Sequence, residues 1–278
     1  DFVKAIHAGQ LIIFHSGESY TVSDWVERLL DFEVVPIINE NDTVSVEQIR
    51  FGDNDTLAAL VSCLVQADLC VIFSDIEGLF SANPTLDPSA TLVPEVTHIT
   101  PELMATAGGA TSKVGSGGMI TKIRAARVLM VAGITMVICH GRKPDALSRL
   151  IEGESVGTRF VAQKVPHDIT PRKLWIALGD SAKGVIEVDQ GAKRALVKQG
   201  SSLLPVGIVS VEGEFAPGDI VDIKDTDGYL FARGRAGASY AEMSLARGRS
   251  QDELKGNELL EHLNSKPAVH RDELVVFE

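Results

Sequence analysis

The segment Gly115-Ser116-Gly117-Gly118-Met119-Ile120-Thr121-Lys122 places three glycines and a serine directly ahead of an amphipathic run, with a lysine one turn into that run. Glycines let the main chain approach phosphate oxygens closely. The free amides of a helix start donate to those oxygens, and the lysine adds a full positive charge. The spacing is not that of a Walker A loop, and the segment does not follow a strand as a dinucleotide fingerprint does. A flexible hinge ahead of a helix would use the same glycines, so this segment alone leaves both readings open.

Two further groups carry polar chemistry. Asn39-Glu40-Asn41-Asp42 follows the apolar run Val34-Val-Pro-Ile-Ile38, and Asp53-Asn54-Asp55 opens a helical pattern. Carboxylates bind an ammonium group or orient a lysine, whereas asparagine amides donate to a substrate carboxylate that an acid would repel. Helix capping by Asp53 or Asn54 accounts for one of these residues and not for the cluster. Ser74 and Asp75 close the apolar run Cys70-Val-Ile-Phe73. In an open parallel sheet, that end of a strand faces the ligand crevice. His140-Gly-Arg-Lys143 also follows a strand and is expected to be a solvated loop. Trp25 and Trp175 sit in apolar patterns and are expected in the core.

The elements that must position these groups alternate up to about residue 160. Strands are expected at 11–14, 34–38, 70–73 and 136–139, with amphipathic helices at 23–31, 55–66 and 121–132. The strands are continuous apolar runs, which predicts a parallel sheet covered on both faces. From residue 173 the pattern changes to short strands at 173–177, 184–188, 207–211, 219–223 and 229–233, broken by turn signals at Gly218-Asp219 and Asp227-Gly228. The proline-bearing stretch 162–172 marks the boundary, giving a first domain over 1–164 and a mostly β domain over 165–278.

Four strings in order, Val35-Pro-Ile-Ile-Asn-Glu-Asn-Asp42, Phe51-Gly-Asp-Asn-Asp-Thr-Leu57, Ser74-Asp-Ile-Glu-Gly-Leu79 with Asn83-Pro84, and Gly115 to Lys122, closely resemble the glutamate 5-kinase family. Val188-Asp-Gln-Gly-Ala192, Gly200-Ser-Ser-Leu-Leu-Pro-Val-Gly-Ile208 and Ala268-Val-His-Arg-Asp272 are similar to the PUA domain that follows the kinase domain in many bacterial members. The resemblance implies an αβα sandwich of the amino-acid kinase type, followed by a small PUA-like domain. It implies phosphoryl transfer from ATP, with Mg²⁺, to the side-chain carboxylate of L-glutamate, the first step of proline biosynthesis. Asp42 and Asn54 would then contact glutamate. Ser74, Asp75, Ser116, Gly117, Gly118, Met119, Ile120, Thr121 and Lys122 would bind ATP. Lys122 would be catalytic, and Asp55 would be the acid that orients the catalytic lysines. No protein metal ligand is implied. A cytoplasmic homo-oligomer, with proline as feedback inhibitor, completes what the resemblance implies.

Against the family pattern, the chain is expected to begin within the kinase domain. The lysine of a Val-Lys-Xaa-Gly-Ser type strand and a Ser-Gly-Ala type loop have no counterpart, so a polypeptide of this sequence alone is expected to be inactive or misfolded. Two other readings stand beside the kinase. One is an RNA-binding PUA protein and the other a non-catalytic kinase fragment. The net charge of −12 argues against a nucleic-acid partner, and it does so in both parts of the chain, with 12 basic and 21 acidic residues up to Asp168 and 14 and 17 beyond. The apolar runs are far shorter than the ~20 residues a bilayer-spanning helix needs, so no membrane segment is expected. Cys63, Cys70 and Cys139 lack metal-ligand spacing and are expected as buried, reduced thiols.

Overall fold

In a computed structural model, which describes residues 22–38, 54–108, 118–163, 170–178, 182–255 and 266–277, the chain forms two units, 1–168 and 169–278. The first unit carries helix α1 (Val22–Asp31), helix α2 (Asn54–Leu64), strand β1 (Leu69–Ser74), the short strand β2 (Glu95–Val96), helix α3 (Pro101–Gly108), helix α4 (Met119–Val131), strand β3 (Thr135–His140), helix α5 (Ala146–Ile151) and strand β4 (Thr158–Phe160). Its sheet has the order β1-β3-β4-β2. β1 and β3 are parallel, with Leu69 opposite Thr135 and Ser74 opposite His140. β4 runs antiparallel to β3, so the sheet is mixed where an all-parallel one was expected.

Met136, Val137, Ile138 and Cys139 are buried in succession along β3, as a central strand covered on both faces requires. α4 is equally enclosed, with every residue from Lys122 to Val131 buried except Arg124. Each of these helices turns back tightly into the strand that follows it. After α2, the Ala67 N–H donates to the Ser62 carbonyl, and after α4 the Ile134 N–H donates to the Leu129 carbonyl while Gly133 adopts φ +81°. α2 packs on β1 and α4 on β3. Helix and strand are therefore antiparallel within each pair, and both helix N-termini lie at the edge where β1 and β3 end.

The expected strand at 34–38 does not form. These residues lack regular structure and Val35 is 84% exposed. The Glu33 N–H donates to Leu30 and the Val34 N–H to Leu29, with Glu33 at φ +57°, so the chain here closes the end of α1 instead of entering a ladder. The strand expected at 11–14 lies outside the described residues.

The second unit begins with helix α6 (Pro171–Leu178), where a strand at 173–177 was expected. Pro171 suits a first helical position, and Leu174, Ile176, Ala177 and Leu178 are buried. The same helix leaves Trp175 43% exposed, against its expected place in the core. Strands β5 (Gly184–Val188), β6 (Ile208–Gly213), β7 (Ile220–Asp225), β8 (Leu230–Ala236) and β9 (Val269–Val276) form a sheet of order β6-β5-β7-β8-β9. Gly218 and Gly228 adopt φ +98° and +81° at the expected turns. Between β5 and β6 lies helix α7 (Gln190–Gln199), capped by Asp189, whose carboxylate accepts from the Ala192 N–H at 2.7 Å. Among the described residues no helix is long and apolar enough to cross a membrane.

Candidate active site

Asp55 is the second residue of α2 and Lys122 the fourth of α4, and both are buried. Lys122 Nζ donates to Asp55 Oδ2 at 3.0 Å and reaches Oδ1 at 3.2 Å, with side-chain exposures of 11% and 10%. A buried ion pair is tolerated only when further hydrogen bonds offset the desolvation of both charges. Thr121 supplies one, its Oγ1 lying 2.6 Å from Asp55 Oδ2 and 2.7 Å from the Gly118 carbonyl. The two helix starts also carry partial positive charge, which favours Asp55 and disfavours an unpaired Lys122. The carboxylate therefore neutralises the lysine at a place otherwise suited to anions. An ammonium has three donors, so this pairing leaves Lys122 with hydrogen-bonding capacity for a ligand.

A second group stands where β1 and β3 end side by side. Ser74 Oγ donates to Asp75 Oδ1 at 3.2 Å, and the Gly141 N–H donates to the Ser74 carbonyl at 2.8 Å. The loop after β1 and the loop after β3 are joined by Lys143, whose Nζ meets Glu77 Oε2 at 2.5 Å. The Arg142 N–H donates to His140 Nδ1 at 3.1 Å, which puts any proton of a neutral ring on Nε2. The loop after β1 is anchored from behind by Thr158, which is fully buried. Its Oγ1 accepts from the Leu79 N–H at 2.8 Å and donates to the Val93 carbonyl at 2.7 Å. Gly78 passes so close that a Cβ there would lie 2.6 Å from Thr158 Oγ1, so only glycine admits this anchor.

The residues singled out from the sequence thus fall into two groups at one edge of the sheet. Asp55, Thr121, Lys122 and the Gly118 carbonyl make the first. Ser74 and Asp75 belong to the second, Asp75 being exposed. Asn54 is the first residue of α2 and is exposed, and Met119 and Ile120 form the first turn of α4. Asp42, Ser116 and Gly117 lie outside the described residues. The sequence reading did not assign roles to Glu77, Thr158 or Lys143. Their partners are 65 to 79 residues away, and only the pairing of β3 with β1 and of β4 with β3 could have pointed to them.

Cysteine chemistry has no part in this arrangement. Burial pushes the Cys63 thiol up to about 12, with neighbouring Cys70 adding to the rise. Burial also raises Cys70, against a lowering hydrogen bond from Ser62, and raises Cys139. All three remain protonated thiols and are unsuited to nucleophilic attack near neutral pH.

Residues 3–140 match the Amino acid kinase family, and residues 184–256 match the PUA domain. A protein from Syntrophotalea carbinolica named glutamate 5-kinase is 45% identical over 248 residues, covering 89% of this chain and 65% of that protein. One of the same name from Caldanaerobacter subterraneus is 44% identical over 260 residues, covering 94% of this chain and 68% of the relative. A third, from Methylococcus capsulatus, is 45% identical over 276 residues, covering 98% of this chain and 73% of the relative. The chain thus spans about two thirds of the length of the curated relatives it matches. With a lysine held by a buried acid where a glycine-rich segment enters its helix, and with this extent of identity, the chain belongs to the glutamate 5-kinase family.

Proposed function

We propose that the protein phosphorylates the side-chain carboxylate of L-glutamate from ATP, giving glutamyl 5-phosphate and ADP, the first step of proline biosynthesis in the cytoplasm. The observation that carries this reading is the buried Asp55–Lys122 pair at the head of α4. A carboxylate is already a nucleophile, so the reaction requires no general base. A glutamate carboxylate oxygen attacks the γ-phosphorus, a new P–O bond forms, the bond to the β–γ bridging oxygen breaks, and ADP leaves with that electron pair. Catalysis then rests on alignment and on offsetting charge at the phosphoryl oxygens.

In this reading Lys122, kept in place by Asp55, meets the phosphates, and the segment from Ser116 to Lys122 surrounds them. Ser74 and Asp75, where β1 ends, take the nucleoside part of ATP. Asp42 and Asn54 take glutamate. Among the described residues no group of three acids, histidines or cysteines is arranged to hold a metal ion, and both Asp55 oxygens are already engaged. The described donor set does not suit a metal held by the protein alone, so Mg²⁺ is assigned to the nucleotide, whose phosphates it prefers. The reading extends to a homo-oligomer inhibited by proline.

The test is a coupled ADP-release assay on the full-length gene product, offering glutamate, aspartate, acetylglutamate and uridylate in turn. Turnover with glutamate alone is expected. Turnover with uridylate or acetylglutamate in its place would move the protein to another branch of the amino acid kinases.

A further inference from the structure

Building on the kinase reading, we propose that Thr121 is a positioning residue whose hydroxyl holds Asp55 in the orientation that presents Lys122. The sequence placed Thr121 among the nucleotide contacts, but its donors are engaged elsewhere. Thr121 Oγ1 has one proton and two acceptors in reach, Asp55 Oδ2 at 2.6 Å and the Gly118 carbonyl at 2.7 Å. A carboxylate is the stronger acceptor, and 2.6 Å is the length of a charge-assisted O–H···O⁻ bond, so the proton goes to Asp55. The Thr121 N–H donates to the Gly118 carbonyl at 3.1 Å, leaving no donor of this residue for a phosphate.

The consequence falls on Asp55. Its other partner is the Lys122 ammonium, at 3.0 and 3.2 Å from the two oxygens, on a long side chain whose function requires it to reach toward a ligand. The Thr121 hydroxyl is short, sits on the first turn of a buried helix, and makes the shortest of the three contacts. When a Lys122 donor turns to phosphate, the Thr121 bond keeps the carboxylate from turning with it. Thr121 also ties Asp55 to Gly118, where the glycine-rich segment enters α4.

The experiment uses the full-length gene product as Thr121→Val, which keeps the shape and removes the hydroxyl, and as Thr121→Ser, which keeps the hydroxyl. Each is made in the parent and in an Asp55→Asn background, with Thr121→Ala replacing the valine variant should that fail to fold. Thr121→Val is expected to lower kcat about ten- to a hundredfold, the equivalent of one hydrogen bond to a charged group, with KM for ATP changed by less than about twofold. Thr121→Ser should recover to within about threefold of the parent, and in the Asp55→Asn background Thr121→Val should cost less than about twofold more. A raised KM for ATP at unchanged kcat, or equal losses in both backgrounds, overturns the proposal. If the parent shows no glutamate turnover the kinase reading fails, and thermal unfolding of the parent, Thr121→Val, Asp55→Asn and the combined variant still decides the Thr121–Asp55 coupling. Non-additive shifts in Tm support it and additive shifts refute it.

Discussion

Each unit contains a lysine–aspartate pair with a buried carboxylate, and the two are put to different ends. In the first unit, Lys122 meets Asp55 between the starts of two helices, and the third contact to the carboxylate comes from a side-chain hydroxyl. In the second, Lys193 Nζ lies 2.9 Å from Asp225 Oδ2, while Asp225 Oδ1 accepts main-chain N–H groups from Tyr229 at 2.9 Å and Asp227 at 3.1 Å. Lys193 also lies over the rings of Tyr229 and Phe231, with Nζ 5.4 and 5.2 Å from their centroids. Aromatic faces and main-chain donors close the second pair and lock the turn between β7 and β8. The first is left beside a glycine-rich segment with donor capacity to spare. The chemistry of the two charges is the same, and the surroundings decide whether the pair is a site or a strut.

The comparison is tested most severely at the first pair. Lys122→Met is expected to lower kcat by about a thousandfold, the upper range for losing one electrostatic contact to a transition state. The loss should appear in steady-state kinetics with a smaller change in Tm than the corresponding loss at the second pair. Equal effects on Tm at the two pairs would erase the distinction.

At the second pair, Asp225→Ala removes the carboxylate that Lys193, Tyr229 and Asp227 all meet, and should destabilise the second unit by about 1–3 kcal/mol in denaturant unfolding, with glutamate kinase activity per folded molecule retained. The same pair predicts a pH dependence. Burial would raise the Asp225 carboxyl, but hydrogen bonds from Lys193 and the Tyr229 N–H outweigh it and hold the group below its ordinary 3.8. A depressed folded-state pKa means the stabilisation is complete above the unfolded value and is lost as pH falls through the folded one. Below about pH 4 the second unit should therefore lose stability, and Asp225→Asn should flatten that acid limb in a Tm-versus-pH series. An unchanged limb would assign it to other carboxylates.

The smallest effect belongs to the exposed ion pair between Lys143 and Glu77, which joins the loops after β3 and β1. With side-chain exposures of 50% and 46%, water screens it, and Glu77→Gln should raise KM for ATP only about two- to fivefold, in line with the ~0.2–1 kcal/mol of exposed pairs. Exchanging the two charges, Glu77→Lys with Lys143→Glu, should recover most of that loss in the same assay.

Much of the first unit was legible because local signals and tertiary outcome agreed. The helices 54–64 and 119–131 and the strands 69–74 and 135–140 follow apolar periodicity that survives burial. The failures came where context overrode pattern. Residues 173–177 read as a strand because Leu174, Trp175 and Ile176 are consecutive, yet a buried strip of Leu174, Ile176, Ala177 and Leu178 is also one side of a helix begun at Pro171. Residues 34–38 have strand composition, but a strand also requires a ladder partner, which composition cannot supply.

The sequence by itself determined the kit of chemical groups, namely a glycine-rich helix start, a lysine one turn in, an acid opening another helix, and a Ser-Asp pair ending a strand. Those features depend on residue type and spacing within a few positions, where the chain is its own ruler. Only the tertiary structure decided that Thr121 faces an acid 66 residues away, that Lys143 closes on Glu77, and that Thr158 anchors the loop carrying Asp75. The first two contacts exist because β1 and β3 run parallel with their helices folded back beside them, and the third because β4 lies antiparallel against β3. Such pairing is set by the packing of the whole unit, to which no short stretch of sequence has access.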